Sequence, residues 1–365
     1  MSSNIPFAVI DTDVFPASYA VGRQRWLAQL AELTCHLQCL PYQCFGAGPD
    51  GEALMTDTVW VGAKDAAKVV VLIGGTHGIE GFTGTAVEID CLRLIKVGLF
   101  VIPADTAILM VHALTPWGYA WQRRCDGDGV DLNRNVIDFS MGLPANPGYT
   151  ALRSALFLAD AQQRKIALAE FEQQYGREAL EKAISGGQYN DPSGPFYGGQ
   201  SAAHGRLVSE DLIRRYALQE RDLAVIDLHT GLGSYGYGEI ICDHDPDSAG
   251  TAVARRWYGD SVTLPLLGTS SSVPKTGLLD FAWHAVMNER SCYITLEFGT
   301  FSTDRLFEVL LRDHQIWAER DNREERLEHA VQMRGHFCPD DQAWKEMVLF
   351  RARQVFAQAL RGISS

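Results

Sequence analysis

The sequence predicts an α/β fold, a sheet with helices on both of its faces. Three observations carry that expectation. Short apolar runs rich in β-branched residues recur along the chain, the pattern of strands buried on both sides. Helical patterns separate these runs, as expected of strands joined by helical crossovers. The runs also stop at histidine, glutamate or glycine-rich turns, so polar groups collect where strands end.

The elements follow in order. Over residues 15–40 Trp26, Leu27, Leu30 and Leu33 recur at helical spacing. Cys35 and Cys39 lie four apart at the end of that pattern and are expected as free, mostly buried thiols. Residues 51–61 alternate like an exposed edge strand. Four buried-strand runs follow at 68–74, 107–112, 223–229 and 292–297, with weaker ones at 239–242 and 261–264. Helical patterns cover 85–95, 150–184 with a break at Gly176, 200–219, 248–258, 304–333 and 342–360. Residues 186–200, rich in glycine and proline, form a loop that serves either as a surface connection or as a binding loop. No repeat or Pro/Ser linker divides the chain, so one domain over residues 1–365 is expected, with C-terminal helices over about 304–363 packed on it.

Composition narrows the function. The chain has 365 residues, 46% hydrophobic and 21% charged, which suits a globular protein with a proper core. Its 32 basic and 45 acidic residues leave a formal charge of −13, which argues against nucleic acid or an anionic membrane as partner. The most apolar stretch, 97–114, is broken by Pro103 and Asp105, well short of the ~20 residues that cross a bilayer. The first residues lack the basic head and apolar run of a secretory leader, and a cytoplasmic protein is expected. Eight cysteines are too sparse for a disulfide scaffold. Cys35, Cys39, Cys44 and His36 lack the second close pair of a structural zinc site.

The chemistry gathers at the strand ends, where open α/β sheets bind ligands. The run 68–74 leads to His77 and Glu80, 223–229 ends on His229, and 292–297 ends on Glu297. The run 107–112 leads to Arg123, Arg124, Asn133 and Arg134. Two histidines and one carboxylate are the usual zinc set of a hydrolase with an open fourth position, and they leave the ion a residual positive charge. A further carboxylate must take the proton of the attacking water, a task suited to Glu297. Asp227, two residues before His229, shares its face of the strand and either orients the imidazole or bonds nearby backbone. His112, His204 and His284 read as core residues. Asp126 to Asp131 resembles a calcium loop but has Val130 where an oxygen ligand is needed. Asp243 to Asp247 suits a turn before a capped helix or a second metal site. Gly231-x-Gly233-x-x-Gly236 is followed by a strand pattern, not by the helix of a dinucleotide site.

His77-x-x-Glu80, the Val130-Asp-Leu-Asn133-Arg134-Asn run, His229 and Glu297 together resemble the zinc carboxypeptidase (M14) superfamily over residues 69–299. That superfamily includes carboxypeptidase A-like peptidases and the aspartoacylase and succinylglutamate desuccinylase deacylases. The resemblance implies a mixed, mostly parallel sheet of about eight strands flanked by helices. It implies one Zn²⁺ per chain on His77, Glu80 and His229, with Glu297 as general base. Asn133 and Arg134 match the pair that clamps a substrate carboxylate, and Arg124, with Arg123 as rival, matches the arginine that stabilises the oxyanion. Leu279 falls near the floor of the specificity pocket. The implied substrate is a peptide or N-acyl amino acid with a free carboxylate, and the implied activity is that of a metallocarboxypeptidase. A small-molecule N-acyl amino acid deacylase and a non-catalytic zinc-binding relative are the alternatives. The peptidases carry a tyrosine upstream of the segment matching residues 277–280, whereas 268–276 here has none. Tyr197, Tyr235, Tyr237 and Lys275 are the candidates to replace it.

Overall fold

Successive residues of a strand face opposite sides, and the central runs are apolar on both. In the computed structural model, which describes residues 9–319 and 322–365, they form one eight-stranded sheet. Its strands are β1 (Leu37–Ala47), β2 (Ala53–Gly62), β3 (Lys68–Ile73), β4 (Thr106–His112), β5 (Asp222–Thr230), β6 (Gly238–Ile241), β7 (Val262–Thr263) and β8 (Cys292–Phe298). Their order is β1-β2-β4-β3-β5-β8-β6-β7. The pairs β3–β4, β3–β5, β5–β8 and β6–β7 are parallel, and the outer β1–β2, β2–β4 and β6–β8 pairs are antiparallel. The sheet is therefore mixed, with a parallel centre, as expected. The first residues, read above as lacking a secretory leader, lie outside the described residues.

Alternation along β3 divides the core in two. Val70 and Leu72 enter a large cluster with α1 (Tyr19–Ala31), α2 (Gly81–Lys96), α8 (Ala249–Tyr258) and α12 (Gln342–Ile363). Val69, Val71 and Ile73 enter a smaller one with α7 (His204–Arg215) and α9 (Asp280–His284). The remaining helices are α3 (Pro116–Ala120), α4 (Pro147–Leu156), α5 (Ala161–Tyr175), α6 (Arg177–Ser185), α10 (Thr303–Ala318) and α11 (Arg323–Phe337).

Four expectations are corrected. The first helix ends at Ala31, and residues 37–47 pair with β2, so Cys35 and Cys39 are exposed beside the sheet's edge. Pro41 fits there, because an edge strand leaves some N–H groups without a ladder partner. Residues 51–61 are not an edge: β2 lies between β1 and β4, with Val59 and Val61 in one cluster and Trp60 in the other. The stretch 150–184 is three helices, with Asp160 capping the second and Gly176, at φ +90°, separating the last two. The stretch 304–333 is two helices, α10 and α11.

Trp344 of α12 is fully buried, and its indole N–H donates to the Gly299 carbonyl at 2.9 Å, tying the last helix to the end of β8. Trp344→Ala is expected to cost about 3–5 kcal/mol, read as a fall in the urea midpoint. A loss below about 1 kcal/mol would show that α12 is not part of the cooperative core.

Candidate metal centre

After β3 the chain passes through Thr76 and His77 into a single 3₁₀ turn, Gly78–Glu80, which runs straight into α2. Gly78 is there because of crowding: a Cβ would lie 2.2 Å from the carbonyl carbon of Gly118 in α3. The Gly78 and Ile79 amides donate to the Arg124 and Arg123 carbonyls at 3.0 and 2.8 Å. This turn sets His77 and Glu80 side by side. β5 brings His229, whose register partner across the parallel pairing with β8 is Glu297.

The donor atoms of His77, Glu80 and His229 converge, and all three residues are buried. His77 Nδ1 lies 2.9 Å from Glu80 Oε1, His229 Nδ1 lies 2.9 Å from Glu80 Oε2, and the two ring nitrogens are 3.1 Å apart. A tetrahedron of 2.0–2.1 Å metal bonds has edges of about 3.3 Å, so this triangle has the dimensions of one face of a metal site. Burial opposes ionisation of Glu80, but the two imidazoles hold its carboxyl well below the usual carboxylate range. The nitrogen and carboxylate donors fit a divalent ion. Among the described residues no other group of histidine, cysteine or carboxylate side chains converges in this way. The Asp243–Asp247 segment is a turn, with Ser248 capping α8 and the Asp245 carbonyl accepting from the Ser248 and Thr251 hydroxyls.

An outer layer orients both rings. His229 Nε2 lies 2.8 Å from Asp227 Oδ2, which also accepts from the Tyr293 hydroxyl at 2.7 Å. Asp227 Oδ1 accepts from the Thr76 hydroxyl at 2.7 Å. The carboxylate is thus held by side chains, and His229 presents Nδ1 to the triangle. His77 Nε2 faces Asp131 Oδ1 at 3.2 Å and Arg124 Nη2 at 2.7 Å. Asp131 also caps the turn Leu132–Arg134 through the Asn133 amide at 2.9 Å. Its place in a capping pattern was the sequence signal for it.

A recess opens on the triangle. Glu297, Arg124, Asn133 and Arg134 line it. Glu297 accepts from the Leu232 amide at 2.9 Å, and burial, then the nearby Glu80, push its carboxyl up to about 7. Arg124 bridges Asp131 and Glu80. Arg123 instead turns away to Asp313 at 2.7 Å and packs on Trp317. Arg134 is completely buried, donating to the Ser185 carbonyl at 3.0 and 2.7 Å and to the Asn133 carbonyl. Asn133 Oδ1 accepts from the Leu279 amide at 2.7 Å, while the Leu279 side chain is packed in the smaller core cluster. Leu278 lines the recess in its place.

The loop 186–200 proves to be largely buried structure. Gly187, at φ +107°, passes close to Arg134, and Tyr189 donates to the Arg134 carbonyl at 2.6 Å. Its Phe196 lines the recess, with the Arg124 and Arg134 guanidinium carbons 5.2 and 5.4 Å from its ring centre. Of the candidates for the missing tyrosine, Lys275 lines the recess, whereas Tyr235 bonds Asp341 and Tyr197 pairs in a small bridge with Val130. Sequence reasoning missed Leu306 and Phe307 of α10 and Phe337 of α11, which also line the recess. Apolar helix positions carry no local sign of facing a ligand.

The sequence matches the family described as Protein of unknown function (DUF2817) over residues 15–351. No curated protein matches it. Among solved structures it is similar to bovine thrombin-activatable fibrinolysis inhibitor in complex with tick carboxypeptidase inhibitor, at 12% identity and TM-score 0.48, covering 95% of this chain and 97% of that one. Similarity to carboxypeptidase A of Helicoverpa armigera is at 14% identity and TM-score 0.46, over 87% and 73% of the two chains. Similarity to an aspartoacylase family protein of Mesorhizobium loti is at 14% identity and TM-score 0.39, over 84% and 69%.

Elemental analysis of the purified protein is expected to find about one divalent ion per chain, and little in His77→Ala or His229→Ala. Asp227→Asn should weaken metal affinity about 10–100-fold in chelator competition, since the amide loses the negative charge and keeps one acceptor oxygen for the Thr76, Tyr293 and His229 groups that the carboxylate serves. Full retention in both alanine variants would dismiss the site.

Proposed function

This chain belongs to the DUF2817 family, and for it we propose a zinc-dependent hydrolase that cleaves an amide bond next to a free carboxylate, in the manner of a metallocarboxypeptidase. The observation that carries the reading is the buried His77–Glu80–His229 triangle with Glu297 beside it in one recess. His77, Glu80 and His229 would hold a zinc ion, which would supply Lewis acidity toward the substrate carbonyl and make a nearby water more acidic.

The chain's own groups do the rest. Glu297 takes the proton of the attacking water and returns it to the leaving nitrogen, a role suited to a carboxyl whose pKa lies near neutrality. The Arg124 guanidinium stays charged against Asp131 and Glu80 and offers N–H groups where the carbonyl oxygen gains charge. Arg134 receives the free carboxylate. Burial lowers its pKa to about 10, which still leaves it cationic at neutral pH.

One observation favours the second reading, a deacylase of small N-acyl amino acids. Leu306, Phe307, Phe337 and Phe196 give the recess an apolar lining. An acyl group that is short and apolar fits such a lining better than an extended peptide does.

Glu297→Gln should retain metal and lose about 10²–10⁴-fold in kcat, because its amide cannot take the water's proton. The wild-type rate should fall as pH drops, since protonation empties the base. The midpoint should lie at or below about 7, because a bound cation pulls the carboxyl's pKa down. Near-normal turnover of the variant would place the base elsewhere. Arg134→Lys should lower kcat/KM about 10–100-fold on free-carboxylate substrates, and amidating the substrate should abolish the difference. Additive losses in that double cycle would mean that Arg134 does not meet the carboxylate.

A further inference from the structure

The loop 186–200 carries a backbone constraint at Phe196, whose φ of +56° lies in the left-handed region. That region is unfavourable for a bulky side chain, and glycine is its usual occupant. The same loop does use glycine at its other positive-φ positions, 187 and 199. A ring is therefore kept at 196 against the preference of the backbone, a kind of outlier that points to function. Bonds within the loop and beyond it hold the position. The Gln188 backbone amide donates to the Phe196 carbonyl at 3.1 Å, and the Gln188 side-chain oxygen accepts from the Asn190 and Asp191 amides. Asp191 accepts from the Tyr149 hydroxyl at 2.7 Å and from Arg153 at 3.0 Å. The Ser193 carbonyl lies 3.1 Å from Nδ1 of His314 in α10.

The buried ring meets two guanidinium groups. Its centre lies 5.2 Å from the Arg124 carbon and 5.4 Å from the Arg134 carbon, within the ~6 Å of a cation–π contact. Phe307 of α10 meets the same ring at 88°, with the centres 6.4 Å apart, and so fixes its tilt. All four side chains line the recess. An enclosed cation needs a partner that replaces water. A carboxylate in the place of the ring would occupy guanidinium N–H groups and compete with an anionic ligand. An aromatic face attracts the cation through its quadrupole and supplies no competing anion. A leucine would fill much of the same space without attracting either charge.

Resting on the reading above, we propose that Phe196 is a positioning residue whose ring sets both arginines in the recess. Arg124 is thereby directed to the carbonyl oxygen that gains charge, and Arg134 to the free carboxylate. Phe196 itself touches no reacting atom. Loss of the ring weakens both tasks together, kcat through Arg124 and KM through Arg134.

The test uses N-acetyl-L-leucine and N-acetyl-L-leucinamide with the zinc-loaded protein, since Ile241, Val273 and Leu278 line the recess. Phe196→Leu is compared with a series that carries phenylalanine with increasing numbers of ring fluorines at position 196. Each fluorine draws electron density from the ring face and weakens its pull on a cation, while shape and apolarity are nearly kept. On N-acetyl-L-leucine, Phe196→Leu should raise KM and lower kcat about 3–10-fold each, and kcat/KM should fall stepwise with fluorination, about tenfold at full substitution. On the amidated substrate only the loss in kcat should remain. A ring that merely fills space predicts a flat series, so kcat/KM constant within about threefold across it overturns the proposal, even where Phe196→Leu fails to fold. Equal losses on both substrates overturn the part assigned to Arg134. If the wild type cleaves neither compound, the hydrolase reading fails, and calorimetric binding of free L-leucine decides instead. Affinity that falls at least about threefold over the fluorine series supports the role of Phe196, and constant affinity or no binding overturns it.

Discussion

The site depends on one pairing, the parallel register of β5 on β8. It sets His229 opposite Glu297 and Asp227 opposite Thr295. In a parallel pair, residues in register face the same side of the sheet, so this alignment puts the candidate ligand His229, the proposed base Glu297 and the orienting carboxylate of Asp227 in one column. A slip of one residue would turn His229 and Asp227 into the opposite core cluster and leave Glu297 facing apolar side chains. The apolar neighbours Val225, Ile226 and Leu228 fix the alignment, because each is buried on its own face.

Around that column the charges are arranged in depth. The metal end holds Glu80 between two imidazoles, each ring tied on its far side to an aspartate. Further along lie Arg134 and Lys275, bonded to backbone and hydroxyl groups. Under the proposed function, these cations would let a chain of net charge −13 accommodate an anionic substrate. Long-range repulsion is screened beyond about 8 Å at physiological salt, so local cations decide what binds.

The helices that close the chain have two tasks. α12 covers the large core cluster through Val348, Ala352, Val355 and Phe356, while Leu306, Phe307 and Phe337 of α10 and α11 are shared between that cluster and the recess. Arg123 joins the same arrangement by its buried pair with Asp313 of α10, which locks the turn carrying Arg124 against the C-terminal helices. The same side chains therefore serve both the core and the lining of the recess.

The sequence by itself determined the central strands and the residues at their ends. A strand buried on both faces must be continuously apolar, and a polar group that interrupts such a run stands out; His77, Glu80, His229 and Glu297 were visible for that reason. It did not determine the sheet's edge, because β1 is open to solvent and its composition reflects pairing more than burial. Nor did it separate Arg123 from Arg124, or Leu278 from Leu279. Adjacent residues share the same local pattern, and only the packing of distant elements, α10 in one case and the smaller core cluster in the other, decides which turns toward the recess. The same holds for Phe337, whose place on the recess follows from contacts across the fold, which hydrophobic periodicity, a property of near neighbours in sequence, does not encode.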